Sequence, residues 1–274
     1  QNIWKKIFKV SDSIAITSGK GGVGKTTIAV NLSIAYKKLL NDVLLLDTDL
    51  GMANSHVLLG INPDLTLLDV MNGKKNIGDV VFKTNTGVEL VSGGAATSEL
   101  LNLTNNQRYT VLNSIEEYLS DKNNAKLIVD IAAGAEDNSI VFANACNRVV
   151  VVIIGEPTSF IDSYALIKAI NATSSFKNFS IVVNQTENYQ QSIELFKKFE
   201  KIAMRFLDVK LHYVGFIEYS KYIKDSIINR KPIILSDPKS DISLRFTKIA
   251  TEILKTPKNV WGGLSFFNEI KKRA

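Results

Sequence analysis

One cysteine, Cys146, stands among 274 residues. That excludes an internal disulfide and any cysteine-rich metal centre built within one chain. Prolines number only five, and no proline- or glycine-rich stretch marks a linker between domains. No apolar run approaches the ~18 residues that a membrane-crossing helix needs. The longest, such as 149–154, have the length of buried strands. A secretory leader is not expected, because the basic start (Lys5, Lys6, Lys9) runs into polar Ser11, Asp12 and Ser13 instead of an apolar stretch. A cytoplasmic protein is the expectation. The chain opens on Gln1 instead of Met, which leaves room for residues upstream. Net charge is also missing from most of the chain. Three lysines without an acid in residues 1–10, and Lys258, Lys271, Lys272 and Arg273 against Glu269 in residues 258–274, account for the whole net charge of +6. An excess confined to both ends, beside aromatic residues, points to a surface contact more than to evenly solvated charge.

What is present is 45% apolar, enough to bury a full core. Runs of four to seven residues rich in Val, Ile and Leu predict strands at 13–17, 43–46, 127–129, 149–154, 180–183 and 209–214. Helix-length segments lie between them, at 26–40, 105–119, 160–172, 189–206 and 241–254. Such alternation implies a doubly wound, mostly parallel α/β sheet. No internal repeat or low-complexity stretch is visible. The expected organisation is a basic segment over residues 1–12, one α/β domain over 13–256 and an appended segment over 257–274.

Residues 19–26 read Gly-Lys-Gly-Gly-Val-Gly-Lys-Thr. This is the G-x-x-x-x-G-K-[ST] pattern, a Walker A loop, and it follows a predicted strand and opens a predicted helix as the motif requires. Gly19, Gly21, Gly22 and Gly24 let the backbone curl, through Val23, until successive N–H groups face phosphate oxygens. The start of the helix at Thr26 and Thr27 adds unpaired donors and a partial positive charge. Lys25 reaches the β- and γ-phosphates, and the Thr26 hydroxyl can ligate Mg²⁺.

Carboxylates follow at strand ends. Asp47-Thr48-Asp49 closes the second predicted strand. Two acids two residues apart in extended chain face the same way, off the edge where open α/β sheets bind ligands. Asp130 closes the apolar run 127–129, placed to hold Mg²⁺ through water. Phosphoryl transfer needs mainly positioning and charge neutralisation, for which one carboxylate and one metal suffice. Asn184 ends another strand, where its amide can pair with both the acceptor and the donor of an adenine edge.

The second loop lysine, Lys20, makes the segment Lys-Gly-Gly-Val-Gly-Lys-Thr-Thr, which resembles the deviant Walker A of the MinD/ParA family of P-loop ATPases. The resemblance implies ATP or ADP with Mg²⁺ as ligands. It also implies a sandwich homodimer in which Lys20 touches the partner's nucleotide. By the same resemblance Asp49 positions the attacking water, Asp47 supports the metal shell, Ala133-Gly134 corresponds to a γ-phosphate-sensing segment and Asn184 reads the base. Catalysis is thus expected from Asp49, Lys20 and Lys25. One departure stands out: the family carries Thr or Ser immediately after the acid at 130, and this chain has Ile131. A hydroxyl lost there slows turnover, and it keeps open an ATP-binding scaffold with little hydrolysis.

Further stretches are similar to the flagellar-number regulators of the MinD group, the FlhG/FleN/YlxH type. They are residues 49–54, 90–94, Glu156-Pro157-Thr158-Ser159 with 162–168, and Arg230-Lys231-Pro232 with 237–240. The resemblance spans about residues 13–254. It implies a slow ATPase controlling flagellar number, peripheral on the inner face of the cell membrane, with an SRP-type GTPase (FlhF) and flagellar C-ring proteins as partners. The activator segment D-Q-A-x-x-L-R of many members is missing from residues 1–10. A MinD-type regulator of the division site, or a DNA-partitioning ATPase of ParA type, would share the nucleotide residues. The zero net charge of the core argues against a DNA-holding face.

Trp261, Leu264, Phe267 and Ile270 recur every third residue, with Phe266 beside them and Lys271, Lys272 and Arg273 after them. On a helix the apolar members share a stripe, and the composition fits an interfacial helix on anionic lipid. Ile3, Trp4, Ile7 and Phe8 with Lys5, Lys6 and Lys9 repeat the pattern in shorter form, as a second lipid contact or as a helix docked on the domain.

Overall fold

Strand β1 (Val10–Thr17) leads into helix α1 (Lys25–Lys38), and this βα unit recurs through the chain. In the computed structural model, residues 10–39, 41–49, 53–94, 104–122 and 124–259 are described. After β2 (Asp42–Asp47) come three short helices, α2 (Ser55–Leu58), α3 (Leu67–Met71) and α4 (Ile77–Val80), then β3 (Phe82–Lys83) and β4 (Glu89–Val91). Strict alternation resumes with α5 (Asn105–Ser120), β5 (Ala125–Asp130), α6 (Asp137–Asn144), β6 (Arg148–Ile153), α7 (Pro157–Ser174), β7 (Asn178–Thr186), α8 (Tyr189–Met204) and β8 (Lys210–Glu218). Helices α9 (Lys221–Ile228), α10 (Ile233–Ser236) and α11 (Asp241–Lys255) close the described chain.

The eight strands form one sheet in the order β3-β4-β2-β5-β1-β6-β7-β8. Every pairing is parallel except β3 with β4. Both faces are covered, because alternate residues of each strand point to opposite sides. Leu44, Leu46, Leu127 and Val129 pack with α5, α6, α7 and α8 through Val111, Phe142, Leu166 and Phe199. Leu45, Ile128 and Val150 pack with α1, α10 and α11 through Leu32, Ile233 and Phe246. Helix starts are marked locally. Thr104 and Gln107 cap α5 reciprocally, Pro157 opens α7, and Asn188 and Ser240 cap α8 and α11.

All six expected strands and five expected helices are present, with ends shifted by a few residues. The expectation passed over β3, β4 and the helices α2, α3, α4 and α10, which are too brief to show a period, and also the eight-residue helices α6 and α9.

β1 lies between β5 and β6, so the chain reverses its direction of travel across the sheet beside β1. Open α/β sheets form their ligand crevice at such a point, beyond the carboxyl ends of the strands. The opposite edge of the sheet is tied by charge. Asp12 near the start of β1 meets Lys126 at 3.1 Å, Arg148 at 3.2 Å and Lys258 at 3.0 Å. Burial alone would push the Asp12 carboxyl up; hydrogen bonds and attraction from Lys258 and Lys126 outweigh it and hold the group below its ordinary value. Arg148 also donates to the carbonyls of Leu254 and Thr256. Asn259 donates its N–H to Asn147 O at 2.9 Å and exchanges two hydrogen bonds with the backbone of Asn178. Residues 256–259 are thereby laced to the starts of β1, β6 and β7.

Candidate functional site

The phosphate loop bridges β1 and α1 at the reversal point. Gly22 and Gly24 take φ of +78° and +87°, backbone conformations that cost little only without a side chain. A Cβ on Gly24 would stand 2.4 Å from Asn184 Nδ2, and one on Gly19 would stand 2.2 Å from the backbone of Asp162 and Ser163. Around Gly21 and Gly22 nothing lies within 4 Å of that point. The loop is thus pinned at its two ends and open at its crest. Helix α1 begins at Gly24 with no side-chain cap and no acid in its first turn, so the positive end of its dipole is left for an outside anion.

A cleft of about 510 Å³ opens beside the loop, lined by Ser18, Lys20, Gly21, Gly22, Gly24, Lys25, Thr26 and Thr27 on one side and by Thr48, Asp49, Asn54, Ala132 and Ala133 on the other. Its size suits a small ligand. Lys25 is buried beneath it, with Nζ 2.6 Å from Asp130 Oδ1 and 3.5 Å from the Thr26 hydroxyl. Lys20 is half exposed and points back along its own chain, 2.5 Å from Glu156 Oε2 and 3.3 Å from the Thr158 hydroxyl.

The two acids of Asp47-Thr48-Asp49 part company. The strand ends at Asp47, and Asp49 N–H donates to Asp47 Oδ1 at 3.1 Å. Asp49 lines the cleft. Asp47 is fully buried, and its Oδ2 accepts the N–H groups of Asn54 and Ser55 at 3.1 and 3.0 Å. Burial and the neighbouring Asp130 carboxylate push Asp47 well above the ordinary carboxylate range, only partly offset by those N–H bonds. Asp130 is also fully buried under the cleft floor, with the Ser55 hydroxyl 3.4 Å from its Oδ2. Ser55 and Glu156 were not among the expected site residues. Their roles depend on contacts across 75 and 136 positions, which no local pattern signals.

Ile131 is buried and joins the ladder through its N–H to Ile16 O at 3.0 Å. Gly134, with φ +98°, donates its N–H to Ser18 O at 2.9 Å. Asn184 Nδ2 donates to Val23 O at 2.7 Å, so this amide holds the loop from behind. A second cleft, of about 220 Å³, lies on that side, where Asn184, Gln185, Tyr219 and Lys224 face Gly24 and Thr27. The two clefts share the loop residues Gly22, Gly24 and Thr27. Residues 261, 264, 266, 267 and 270–273, and the aromatic and basic positions of 1–9, lie outside the described residues.

A family model, ParA, described as NUBPL iron-transfer P-loop NTPase, matches residues 9–254. The antiactivator FleN of Pseudomonas aeruginosa is 38% identical over 258 residues, 93% of this chain and 91% of that protein. The flagellum site-determining protein YlxH of Helicobacter pylori is 29% identical over 268 residues, 94% and 89% of the two chains. Among solved structures, the cell division ATPase MinD of Pyrococcus furiosus superposes with a TM-score of 0.71 at 27% identity, over 89% of this chain and 98% of that one.

Proposed function

The chain belongs to the ParA/MinD family of P-loop NTPases, in the branch of the flagellar-number regulators FleN and YlxH, and from that premise we propose a Mg²⁺-dependent switch ATPase that limits flagellar number and placement. The observation that carries this reading is the cradle itself. A glycine loop with two positive-φ positions opens an uncapped helix, with Lys25 beneath it and Lys20 at its rim.

ATP is the substrate and is converted to ADP and phosphate. The loop N–H groups and Lys25 bind the phosphates, and Asp130 keeps Lys25 oriented under them. The Thr26 hydroxyl, with Asp130 and Asp47, would hold Mg²⁺, which would supply charge neutralisation to the phosphoryl group. Asp49, the one carboxylate of its pair that lines the cleft, orients the attacking water. Asn184 and the wall around Tyr219 hold the base.

Lys20 crosses to a second copy's nucleotide. Its ion pair with Glu156, between half-exposed side chains, is worth no more than about 1 kcal/mol and is easily exchanged. ATP thereby closes a homodimer and hydrolysis reopens it. The dimer engages the anionic inner surface of the cell membrane through residues 257–274, with an SRP-type GTPase and C-ring proteins as its partners. No described helix is long and apolar enough to cross a membrane. The iron transfer in the family model's description has no footing here, since the single cysteine, Cys146, is buried and has no second cysteine to pair with.

Calorimetry with Mg²⁺-ATP, followed by light scattering, tests the reading. Binding heat and a shift from monomer to dimer mass are expected; no heat from ATP or ADP would overturn it. Ile131 supports a narrower version, in which ATP is bound and held with little turnover. At the place where the family carries a hydroxyl, this chain buries an aliphatic side chain. A phosphate-release assay separates the two.

A further inference from the structure

The sheet ends differently at its two edges. β3 is an edge strand of two residues, whereas β8 is nine residues long, and among the described residues no strand lies on its outer side. Natural edge strands are commonly kept short, because their outward N–H and C=O groups can pair with another chain. Beside the middle of β8 lies a cleft of about 720 Å³, larger than the one of about 510 Å³ at the phosphate loop, and it shares no lining residue with either nucleotide cleft. Its floor runs from Tyr213 to Phe216, where a bulge leaves Val214 without a counterpart on β7. Its walls come from both faces of the sheet. Tyr189, 59% exposed, opens α8 on one side; Leu244, 57% exposed, and Lys248 belong to α11 on the other. The cleft therefore follows the strand's open edge. Gly215, at φ +142°, fixes the α11 wall: a Cβ there would stand 2.6 Å from Ile249 Cγ1, so the helix packs directly on the strand.

That wall carries charge in a definite order. Asp241, Arg245, Lys248 and Glu252 all line the cleft from α11, at spacings that put them on one side of the helix. Acids stand at the ends and bases in the middle. Arg245 is engaged, 3.0 Å from Glu218 Oε1 and 4.2 Å over the Phe216 ring. Lys248 is exposed, and its ammonium is left to meet a ligand. A second copy paired antiparallel about the centre of this wall would bring Asp241 opposite Glu252 and Arg245 opposite Lys248, like charge against like. The order thus disfavours self-pairing and favours a different chain with an acid at its centre. From Asp241 to Glu252 the wall is about 16 Å long at ~1.5 Å per helical residue, which matches about five residues of extended chain at ~3.3 Å each.

We propose that this edge binds an extended peptide of another protein as a further strand beside β8. About five of its residues would pair with the strand, with apolar side chains at alternate positions against Tyr189, Tyr213 and Leu244 and a central carboxylate on Lys248. Main-chain hydrogen bonds supply the affinity of such a contact, and the side chains flanking the edge supply its selectivity. The contact does not need nucleotide, so its test stands apart from that of the ATPase reading.

Peptides selected from a random phage-displayed library on the full-length chain are the probe. Enriched sequences should alternate apolar residues around a central Asp or Glu, and a synthetic copy should slow hydrogen exchange at amides within 211–217. Lys248→Glu should weaken its binding about 10- to 100-fold, the usual worth of a charge-assisted hydrogen bond, with thermal unfolding unchanged because the side chain is exposed. N-methylating alternate amides of the peptide should abolish binding in one register and be tolerated in the other, since only one edge of the added strand faces β8. Tolerance of both methylated sets, or binding that leaves exchange in β8 untouched, would overturn strand addition. No enrichment, or enrichment of peptides with a basic centre, would overturn the proposal as well. Slowed exchange in β8 that develops without peptide as protein concentration rises would assign the edge to a second copy and overturn the peptide assignment.

Discussion

Lys25 Nζ stands 2.6 Å from Asp130 Oδ1, so the lysine under the phosphate loop is paired with the acid that closes β5, 105 residues away. Neither side chain has water to fall back on, at 8% and 0% side-chain exposure. Lys25→Met should cost about 3–5 kcal/mol of stability in urea unfolding, because it strands a buried charge. Lys25→Met with Asp130→Asn should recover most of that loss, while neither variant shows ATP-binding heat. Full additivity of the two substitutions would refute the pairing.

Gly24→Ala should be costly and Gly21→Ala mild. At position 24 the methyl group would need φ near +87° and would meet Asn184 Nδ2 at 2.4 Å. A loss of about 1–3 kcal/mol is expected from the backbone strain alone, with nucleotide binding reduced further as Asn184 is displaced. At position 21 the methyl group meets nothing within 4 Å, so thermal unfolding should be unchanged. Equal melting temperatures for the two variants would show that the loop is not pinned at Gly24.

Asp49→Ala should keep ATP-binding heat and lower phosphate release by about 10²- to 10⁴-fold, the usual contribution of a water-orienting base. Light scattering in excess ATP should then find a persistent dimer. Asp47→Asn should behave differently. Its carboxylate accepts the backbone N–H groups of Asp49, Asn54 and Ser55, so its first effect should be on stability. Unaltered phosphate release in Asp49→Ala would move the water-orienting role elsewhere.

Asp12 predicts an acid-sensitive clamp. Its carboxyl is held below the ordinary 3.8 in the folded chain. The stability it contributes is therefore fully present above that ordinary value and disappears as pH falls through the lower folded one. Asp12→Asn should be less stable than the parent chain by about 3–5 kcal/mol at neutral pH. The gap should narrow only below pH 3.8. A gap independent of pH would mean that packing, and not charge, does the work.

Cys146 should report unfolding. Burial pushes its thiol up to about 12, countered in small part by a hydrogen bond with Ser13. Its Sγ donates to Phe142 O at 3.4 Å. Iodoacetamide should leave the native chain unlabelled near neutral pH and modify it once denaturant is added, since the thiolate is the reactive form. Fast labelling without denaturant would place this end of β6 among the locally opening parts.

Much of the fold was legible in the residues. The strands at the centre of the sheet are continuous apolar runs because helices cover both sides, and the phosphate loop announces itself through contiguous positions. What could not be read depends on distance along the chain. β4 is three residues long, too short for any period, and is a strand because β2 lies beside it. The different surroundings of Asp47 and Asp49 depend on the N–H groups of Asn54 and Ser55, seven and eight residues on, which Asp47 accepts. The pairings of Lys25 with Asp130 and of Lys20 with Glu156 are properties of the closed sheet, set by which strand ends meet at its crevice.

The pinning of the loop at Gly19 and Gly24, with open space at its crest, limits what the ligand can move. The root against Asp162 and Ser163 has no slack, so any adjustment to an incoming anion falls on Lys20, Gly21 and Gly22. Lys20 is one of those three. Reshaping the loop's summit therefore also re-aims the side chain tied to Glu156.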